Sequence, residues 1–434
     1  MRRRVDCTGK YCIVGAGSSG LAAAKNLKAH NIPFDVIERE DDVGGIWYYG
    51  KPHSSVYRST HLISSKPLTE CTDFPMPKHY PDYPSHAQVW EYLRSYARAF
   101  GLYEHIEFNT SIEKIEPADG YWNVTSNKGQ TRSYRGIIIA NGHNYDPKYP
   151  DYPGHFDGLT LHSAHYKTPE VLRDKRVLVV GAGNSGCDIA VESAQNAART
   201  YHSVRRGYYY VPKFLFGKPS DQVGEISLAL HVPLSIRRAI NTFLLKMVLG
   251  NPQKFGLPKP DHKLYETHPI VNSQMLYYVR HGEIFPKPDI QELCGDRVRF
   301  KDGSEEQIEV IVYATGFNIV FPFMDKKYVN WKNGRPHLYL NIFHPAHDNI
   351  FVAGLIQPDS GQWGLVDYQT QLIAKFIGAL TDNPTQANKF RRLKAGPQPD
   401  LGHGIKYIEV TRHYVEVEHF SYRQRLKKLI KKMN

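Results

Sequence analysis

The feature that most constrains the fold is a glycine-rich loop that occurs twice, each time between a short apolar strand and a helix. Residues 15–20 read GAGSSG and residues 181–186 read GAGNSG, so both match the pattern GxGxxG. In this pattern the first glycine permits a tight turn, the second lets the backbone approach a pyrophosphate, and the third lets helix and strand pack closely. The repeat therefore predicts two βαβ units that bind dinucleotides.

The sequence around each loop predicts the rest of its unit. Apolar runs of four or five residues indicate buried strands, and longer runs with helical periodicity indicate helices. For the first unit we expect a strand at 11–14, a helix at 21–29 and a strand at 34–37. The second unit repeats this order with a strand at 176–180, a helix at 187–198 and a strand at 200–204.

The residue that ends the second strand of each unit selects the nucleotide. Glu38 lies about 20 residues beyond the start of the first loop, where a carboxylate binds the hydroxyls of an adenosine ribose and repels a 2′-phosphate. The following GGIW stretch adds surface for a ligand longer than NAD, so we predict FAD here. The plain alternative for that stretch is a turn with a buried Trp. The predicted FAD contacts are Gly15, Gly17, Ser18, Ser19, Gly20, Glu38, Gly45, Ile46 and Trp47.

The second unit has no acidic residue near Val204 and carries Arg205 and Arg206 instead. Guanidinium groups pair with phosphate and stack on adenine, which favours the 2′-phosphate of NADPH. A solvated arginine pair at a strand end is the alternative. The predicted NADPH contacts are Gly181, Gly183, Asn184, Ser185, Gly186, Arg205 and Arg206.

These units predict an α/β fold with two dinucleotide-binding (Rossmann-like) three-layer domains, the second inserted in the first. The stretch 144–153, rich in Pro, Tyr and Asp, is typical of a linker. The turn at 310–317 (VIVYATGF) mirrors 136–143 (GIIIANGH), and after it we expect the chain to return to the first domain. The predicted domains are 1–150 plus 318–434 for FAD, and 151–317 for NADPH with an insertion at about 207–290.

Between the two loops, residues 156–166 (FDGLTLHSAHY) fit the pattern FxGxxxHxxxY. Together with both loops, GGIW, the block at 57–75 and the YATGF turn, this pattern resembles the flavin-containing monooxygenases, the heteroatom-oxidising class B flavoprotein monooxygenases. The resemblance extends from Lys10 to about Ala379. In the related Baeyer–Villiger enzymes the position of Tyr166 usually holds Trp followed by Pro.

The resemblance implies that Leu62, Ile63 and Ser64 lie beside the flavin, that Gln357 lies near it, and that Asn272 borders the nicotinamide. Ile63 stands where the family usually has an Asn that hydrogen-bonds the reactive flavin site. Isoleucine offers no hydrogen bond. Either Ser64, Ser65, His61 or a backbone N–H substitutes, or the oxygenated intermediate is less stable and releases peroxide.

The activity that the resemblance implies is oxygenation of soft nitrogen or sulfur centres through a C4a-hydroperoxyflavin, as in an N,N-dimethylaniline monooxygenase. Its substrates would be NADPH, O₂ and a small amine or sulfide. Three alternatives stay open at this point. They are a Baeyer–Villiger oxygenase of ketones, a weakly coupled NADPH oxidase, and a non-enzymatic flavin-bearing module that binds a membrane or partner. A homodimer is compatible with the resemblance.

The net charge of the chain and its insertion indicate which partners it can bind. The net charge of +12 fits an anionic cofactor or a membrane surface, whereas no basic–aromatic alternation points to nucleic acid. In the insertion we expect a helix whose apolar face packs on the core or covers the active site, with weak membrane-surface contact as the minority interpretation. That face comprises Ile236, Ile240, Phe243, Leu244, Met247 and Val248.

The spacing of the cysteines and histidines indicates the cellular compartment and whether a metal site is expected. The five cysteines form no CxxC pair, and the 21 histidines form no HExxH motif, so we expect neither a disulfide framework nor a metal site. The N-terminal MRRR is followed by the polar VDCTGK, so we expect no signal peptide. These features predict a cytoplasmic location, with peripheral membrane contact left open.

Overall fold

The computed structural model describes residues 4–433, so the N-terminal MRR and Asn434 lie outside it. The first glycine loop follows Arg4–Val14, a central strand that runs parallel to Phe34–Ile37 on one side and to Thr131–Ile139 on the other. This strand begins earlier than predicted because 4–7 also pair with the long strand Thr131–Ile139. The full sheet, in spatial order, is Ile106–Glu107, Phe34–Ile37, Arg4–Val14, Thr131–Ile139, Tyr121–Ser126 and Ile112–Ala118, with Ile350–Val352 also paired to Thr131–Ile139.

Alternation along the central strand divides the core of this unit into two layers. Tyr11 and Ile13 belong to a cluster that includes the helices beside the sheet, whereas Cys12 and Val14 belong to a cluster on the other face. Because successive side chains of a strand point to opposite faces, one four-residue run fills both layers. All four side chains are buried.

The second glycine loop follows the central strand of an all-parallel, five-stranded sheet. Val177 and Val179 pack toward the helices, and Leu178 and Val180 pack toward a smaller four-stranded sheet. The five-stranded sheet, in spatial order, is Ile284–Lys287, Arg199–Ser203, Arg176–Val180, Val310–Tyr313 and Leu159–His162. The smaller sheet is Glu305–Gln307, Arg297–Phe300, Ile290–Gly295 and Gly154–Phe156.

Helices cover the sheets in the α/β arrangement that the sequence predicts, with two Rossmann-like units. Those of residues 4–433 are, in chain order, α1 Ser18–Ala29, α2 Lys66–Thr69, α3 His86–Ala99, α4 Asn184–Asn196, α5 Ser220–Ala229, α6 Leu234–Leu249, α7 Met275–Arg280, α8 Trp363–Asp382, α9 Pro384–Ala395 and α10 His419–Lys432. None of these helices has the length and apolar content needed to span a bilayer.

The chain after the second unit contacts the first unit again. Ile350–Val352 joins the first sheet, and Gln357–Pro358 pairs with Glu416–Val417 near the C-terminus. The domain boundaries at 150/151 and 317/318 stay a prediction.

The expectation for the insertion helix is wrong. Helix α6 forms at the predicted place, but most of the predicted face is open to solvent, and what α6 buries is Leu245 and Arg237. The periodicity that marks a packed face equally marks an unpartnered one, so sequence alone does not separate them. The exposed side chains are Ile236, Ile240, Phe243, Met247 and Val248, with exposed fractions from 50% to 70%.

Candidate active site

Both glycine loops open into one cavity of about 800 Å³. The sequence-predicted residues that line it are Gly15, Gly17, Ser18, Ser19, Glu38, Gly45, Ile46, Trp47, Leu62, Ile63, Ser64, Gln357, Gly181, Gly183, Asn184, Ser185, Arg205 and Arg206. Gly20, Gly186 and Asn272 lie outside this lining.

The two glycines outside the lining hold helix against strand. A Cβ on Gly20 would lie 1.8 Å from the carbonyl oxygen of Gly15, and one on Gly186 would lie 1.9 Å from that of Gly181. Both first glycines have positive φ angles, +98° at Gly15 and +112° at Gly181. The two loops thus have the same geometry, and each requires glycine for the same steric reasons.

The first loop offers a surface that fits a pyrophosphate. Helix α1 begins at Ser18, and no side chain within 4–433 caps its N-terminus, so the first-turn N–H groups and the positive helix end face the cavity. Gly17 lies opposite Gly45, which has a positive φ of +56°, and a Cβ on Gly45 would lie 3.1 Å from the Gly17 Cα. A side chain at Gly45 would therefore be strained and would crowd this surface.

Glu38 is 4% exposed and lies at the end of its strand, as predicted. Its Oε2 accepts from the N–H of Ala16 (2.6 Å) and its Oε1 from the N–H of Glu40 (2.9 Å). Burial raises the pKa of Glu38, whereas these backbone donors lower it. Each oxygen keeps a free lone pair, which suits the acceptance of ribose hydroxyls.

The two arginines after the second unit are not equivalent. Arg206 forms an ion pair with Asp261 of the insertion (Nε to Oδ2, 2.9 Å), whereas Arg205 is exposed and has no ion-pair partner among 4–433. Asn184 also contacts the insertion, because its amide donates to the carbonyl of Pro269 and accepts from the N–H of Val271. Of the two arginines, Arg205 has the guanidinium that is more available to a 2′-phosphate.

Ile63 and Ser64 lie half-buried in the wall of the cavity. The Ser64 hydroxyl is hydrogen-bonded to that of Thr69 (2.8 Å). Ser65 is fully buried and does not line the cavity, and His61 lines it with its ring hydrogen-bonded to the carbonyl of Ser59. Of the proposed substitutes for the family Asn, Ser64 and His61 therefore have side chains that reach the cavity.

The sequence did not reveal which residue fixes this wall. Asp221, in the first turn of α5, accepts from the N–H of Ser65 (2.6 Å) and from the hydroxyl of Ser360 (3.4 Å). One carboxylate of the insertion thus holds both the loop that carries Ile63 and the late loop that carries Gln357. An acidic residue at a helix start is a common pattern, so no local signal marks this role.

A second carboxylate of the wall, Asp188 in α4, is half-buried and lines the cavity where the two units meet. It accepts from the amide of Asn272 (2.7 Å) and the hydroxyl of Tyr57 (3.3 Å). Burial raises the pKa of Asp188. Asn272 lies outside the lining and hydrogen-bonds Asp188 and the first N–H groups of α7, and its place beside the nicotinamide stays a prediction.

The FxGxxxHxxxY segment supports the junction of the units. Burial lowers the pKa of His162 to about 4, so its ring is neutral, and its Nδ1 accepts from the N–H of Ala164. The Tyr166 hydroxyl donates to Glu192 (2.6 Å). The adjacent Lys167 donates to the carbonyls of Ser54, Val56 and Ala164, which ties this segment to the chain just before the block at 57–75.

The family model described as flavin-binding monooxygenase-like matches residues 8–431. The chain belongs to this family. Similar proteins include the flavin-containing monooxygenase 1 of Oryctolagus cuniculus, 34% identical over 80% of this chain and 70% of that protein. The flavin-containing monooxygenase 2 of Homo sapiens is 30% identical over 87% of this chain and 75% of that protein.

Solved structures agree on the fold. A cyclohexanone monooxygenase from Rhodococcus sp. Phi1, bound to NADP⁺, has a TM-score of 0.71 at 17% identity, over 98% of both chains. The S-allyl-L-cysteine S-oxygenase of Allium sativum has a TM-score of 0.67 at 19% identity, over 98% of this chain and 89% of that one. As a flavin-binding monooxygenase-like protein, the chain is an NADPH-dependent flavoprotein with FAD and NADPH as cofactors, and it uses O₂ and a small-molecule substrate.

Proposed function

We propose that this monooxygenase oxygenates soft nitrogen or sulfur centres of small molecules such as amines and sulfides. The observation that carries the proposal is the single cavity shared by both glycine loops, with Ile63 and Ser64 in its wall. Two cofactors that exchange a hydride must be in contact, and one cavity for both supports that arrangement.

When bound, FAD would supply the redox chemistry: with two electrons from NADPH and one proton from solvent, one atom of O₂ would go to the substrate and the other would leave as water. The chain binds and orients the cofactors through the N-termini of α1 and α4, Glu38 and Arg205. Apolar side chains such as Ile63 and Leu62 exclude water from the reacting atoms. Asp221 and Asp188 hold the walls through the hydrogen bonds described above.

A soft nucleophile suits this site because its attack on oxygen requires no strong acid or base from the protein. The half-buried carboxyl in the wall, Asp188, already accepts hydrogen bonds from Asn272 and Tyr57. The neutral His162 likewise serves as an acceptor for a backbone N–H. These groups are engaged in positioning, which supports nitrogen or sulfur as the attacking atom.

Two other outcomes stay in the test. Baeyer–Villiger oxygenation of ketones is the first, and Tyr166 in place of the usual Trp argues against it. Release of peroxide without oxygenation is the second, and it is favoured by Ile63, which cannot donate a hydrogen bond toward the flavin.

The experiment incubates the FAD-loaded protein with NADPH and O₂ in the presence of methyl phenyl sulfide, dimethylaniline or cyclohexanone. We expect sulfoxide and N-oxide, at amounts approaching the NADPH consumed. Lactone without sulfoxide would establish the Baeyer–Villiger alternative. Peroxide equal to NADPH, unchanged by any substrate, would establish the oxidase.

We further propose that the protein is cytoplasmic and touches membranes peripherally through the exposed face of α6. Five apolar side chains there, with Phe243 and Met247 the most exposed, form a continuous stripe on a basic protein. The net charge of +12 favours an anionic bilayer as the occupant. The five free cysteines fit a reducing compartment.

Co-sedimentation with vesicles of phosphatidylglycerol and of phosphatidylcholine tests this contact. We expect binding to the anionic vesicles that is lost in Phe243→Glu and kept in Tyr121→Glu, a matched change at an exposed aromatic outside the insertion. A homodimer that Phe243→Glu dissociates, with no vesicle binding, would contradict membrane contact and assign the face to a second copy of the chain.

A further inference from the structure

A second cavity, of about 460 Å³, lies between the insertion and the C-terminal helix α10. Its apolar wall includes Leu228, Val232 and Leu234 from the insertion and Phe420 from α10. The residues along it are distinct from those along the cofactor cavity. The cavity is large enough for a small ligand, and it is not part of the oxygenation site.

Arg237 lies in the wall of this cavity and is 7% exposed. Its Nε is buried without a hydrogen-bond partner, and within 4–433 no carboxylate pairs with its guanidinium. The ring of Tyr265 lies 5.7 Å from the guanidinium carbon, but a ring is not a counterion. The next residue on the helix, Arg238, is satisfied by Glu266 (3.2 Å) and the carbonyl of Leu264.

A buried, unpaired guanidinium is costly, because a charge removed from water must regain its interactions from a partner. The other charged groups along the cavity do not provide one. Arg425 and Lys428 are cations at its exposed rim, accompanied by His231 and His403, and none of the described lining residues is acidic. The cavity therefore combines an apolar wall with an uncompensated positive end.

We propose that this cavity binds an anionic amphiphile with a single alkyl chain. The carboxylate or phosphate would pair with the guanidinium of Arg237, whose planar donors match two anionic oxygens. The chain would lie along Leu228, Leu234 and Phe420. A free fatty acid and a lipid within a bilayer present the same chemistry, so the experiment separates these two sources.

Isothermal titration of the FAD-loaded protein with decanoate tests whether the cavity binds a free fatty acid. The decanoate is kept below its critical micelle concentration. We expect one site, with binding about tenfold or more weaker in Arg237→Met, because hydrogen bonds to charged groups contribute about this much. Arg237→Lys should restore part of the loss. Lys246→Met, which removes a cation from the same helix outside the cavity, should bind decanoate as the wild type does.

The contributions of the ligand's negative charge and of its alkyl chain are tested separately. Inorganic phosphate and decyltrimethylammonium should each bind far more weakly than decanoate. Arg425→Met and Lys428→Met change exposed rim residues and should each weaken decanoate binding a few-fold, which keeps the test valid if Arg237→Met does not fold.

Phosphatidylglycerol vesicles test whether the cavity binds a lipid within a bilayer. Vesicle binding that Arg237→Met weakens, without decanoate binding, would assign the site to a bilayer lipid. Decanoate and vesicle binding that are both insensitive to Arg237, Arg425 and Lys428 would overturn the proposal.

Discussion

The two glycine-loop regions share one backbone geometry and differ in the side chains beyond it. Each first glycine has a positive φ, and each third glycine would bring a Cβ within 2 Å of a carbonyl oxygen. After the second strand, however, the first region has the buried carboxylate Glu38 and the second has the exposed Arg205. The shared backbone geometry fits a dinucleotide, and we propose that the charged residue just after the second strand selects which one binds.

The largest effect should come from substituting the third glycine in one of the two loops at a time. Gly20→Ala forces a methyl group against the Gly15 carbonyl, so we expect FAD to be lost on purification and stability to fall by roughly 1–3 kcal/mol or more. Gly186→Ala should instead leave FAD bound and abolish its reduction by NADPH. Flavin absorbance per protein and thermal unfolding measure these effects.

Gly9→Ala is the matched control, because a Cβ at Gly9 meets no atom within 4 Å. Loss of FAD in Gly186→Ala, or its full retention in Gly20→Ala, would show that the two loops do not divide the cofactors as described.

The next effect separates the two arginines. Arg205→Ala should raise the KM for NADPH by about tenfold or more and leave that for NADH nearly unchanged, since a charged hydrogen bond to the 2′-phosphate is lost. Arg206→Ala should raise the KM for NADPH less than Arg205→Ala does, because Arg206 is paired with Asp261. Steady-state kinetics with both nucleotides measure this, and equal effects on NADPH and NADH would remove the 2′-phosphate argument.

The difference between Arg205 and Arg206 also shows where sequence reasoning ends. The strands, the loops and the cofactor preference follow from local patterns, because each βαβ unit occupies a short stretch of chain. The Arg206–Asp261 pair and the Asp221–Ser65 hydrogen bond join residues distant in sequence, and no sequence pattern indicates which partner each residue contacts. The exposure of α6 likewise depends on which neighbours are present.

A smaller effect should follow from removing the hydrogen bond between Asp221 and Ser65, which holds the cavity wall. Asp221→Ala removes the acceptor for the Ser65 N–H, so we expect peroxide released per NADPH to rise several-fold while the anaerobic rate of flavin reduction changes little. Hydrogen–deuterium exchange of the Ser65 amide should accelerate in parallel. Asp221→Asn, which keeps an oxygen acceptor, should restore part of the coupling.

Glu225→Gln provides the control in the same helix, because Glu225 contacts His419 and Arg423 rather than the flavin-side loop. An Asp221→Ala protein that retains wild-type coupling and wild-type exchange at Ser65 would exclude Asp221 as a positioning residue.

The smallest effect should come from Ile63 itself. Ile63→Asn introduces a hydrogen-bond donor into the cavity wall, so we expect less peroxide per NADPH, by about twofold, the low end for a neutral hydrogen bond. Ile63→Val, which adds no donor, should behave like the wild type. A peroxide yield that rises in Ile63→Asn would mean that Ser64, His61 or a backbone N–H already fills this role.

Anaerobic mixing of the FAD-loaded protein with NADPH or NADH tests the central claim most directly, because it isolates electron transfer from the second glycine-loop region to the first. We predict that NADPH bleaches the visible absorbance of the oxidised flavin much faster than NADH at equal, subsaturating concentrations, and that Arg205→Ala removes this preference. Equal bleaching by both nucleotides in the wild type, or none by either, would contradict the assignment of the two regions.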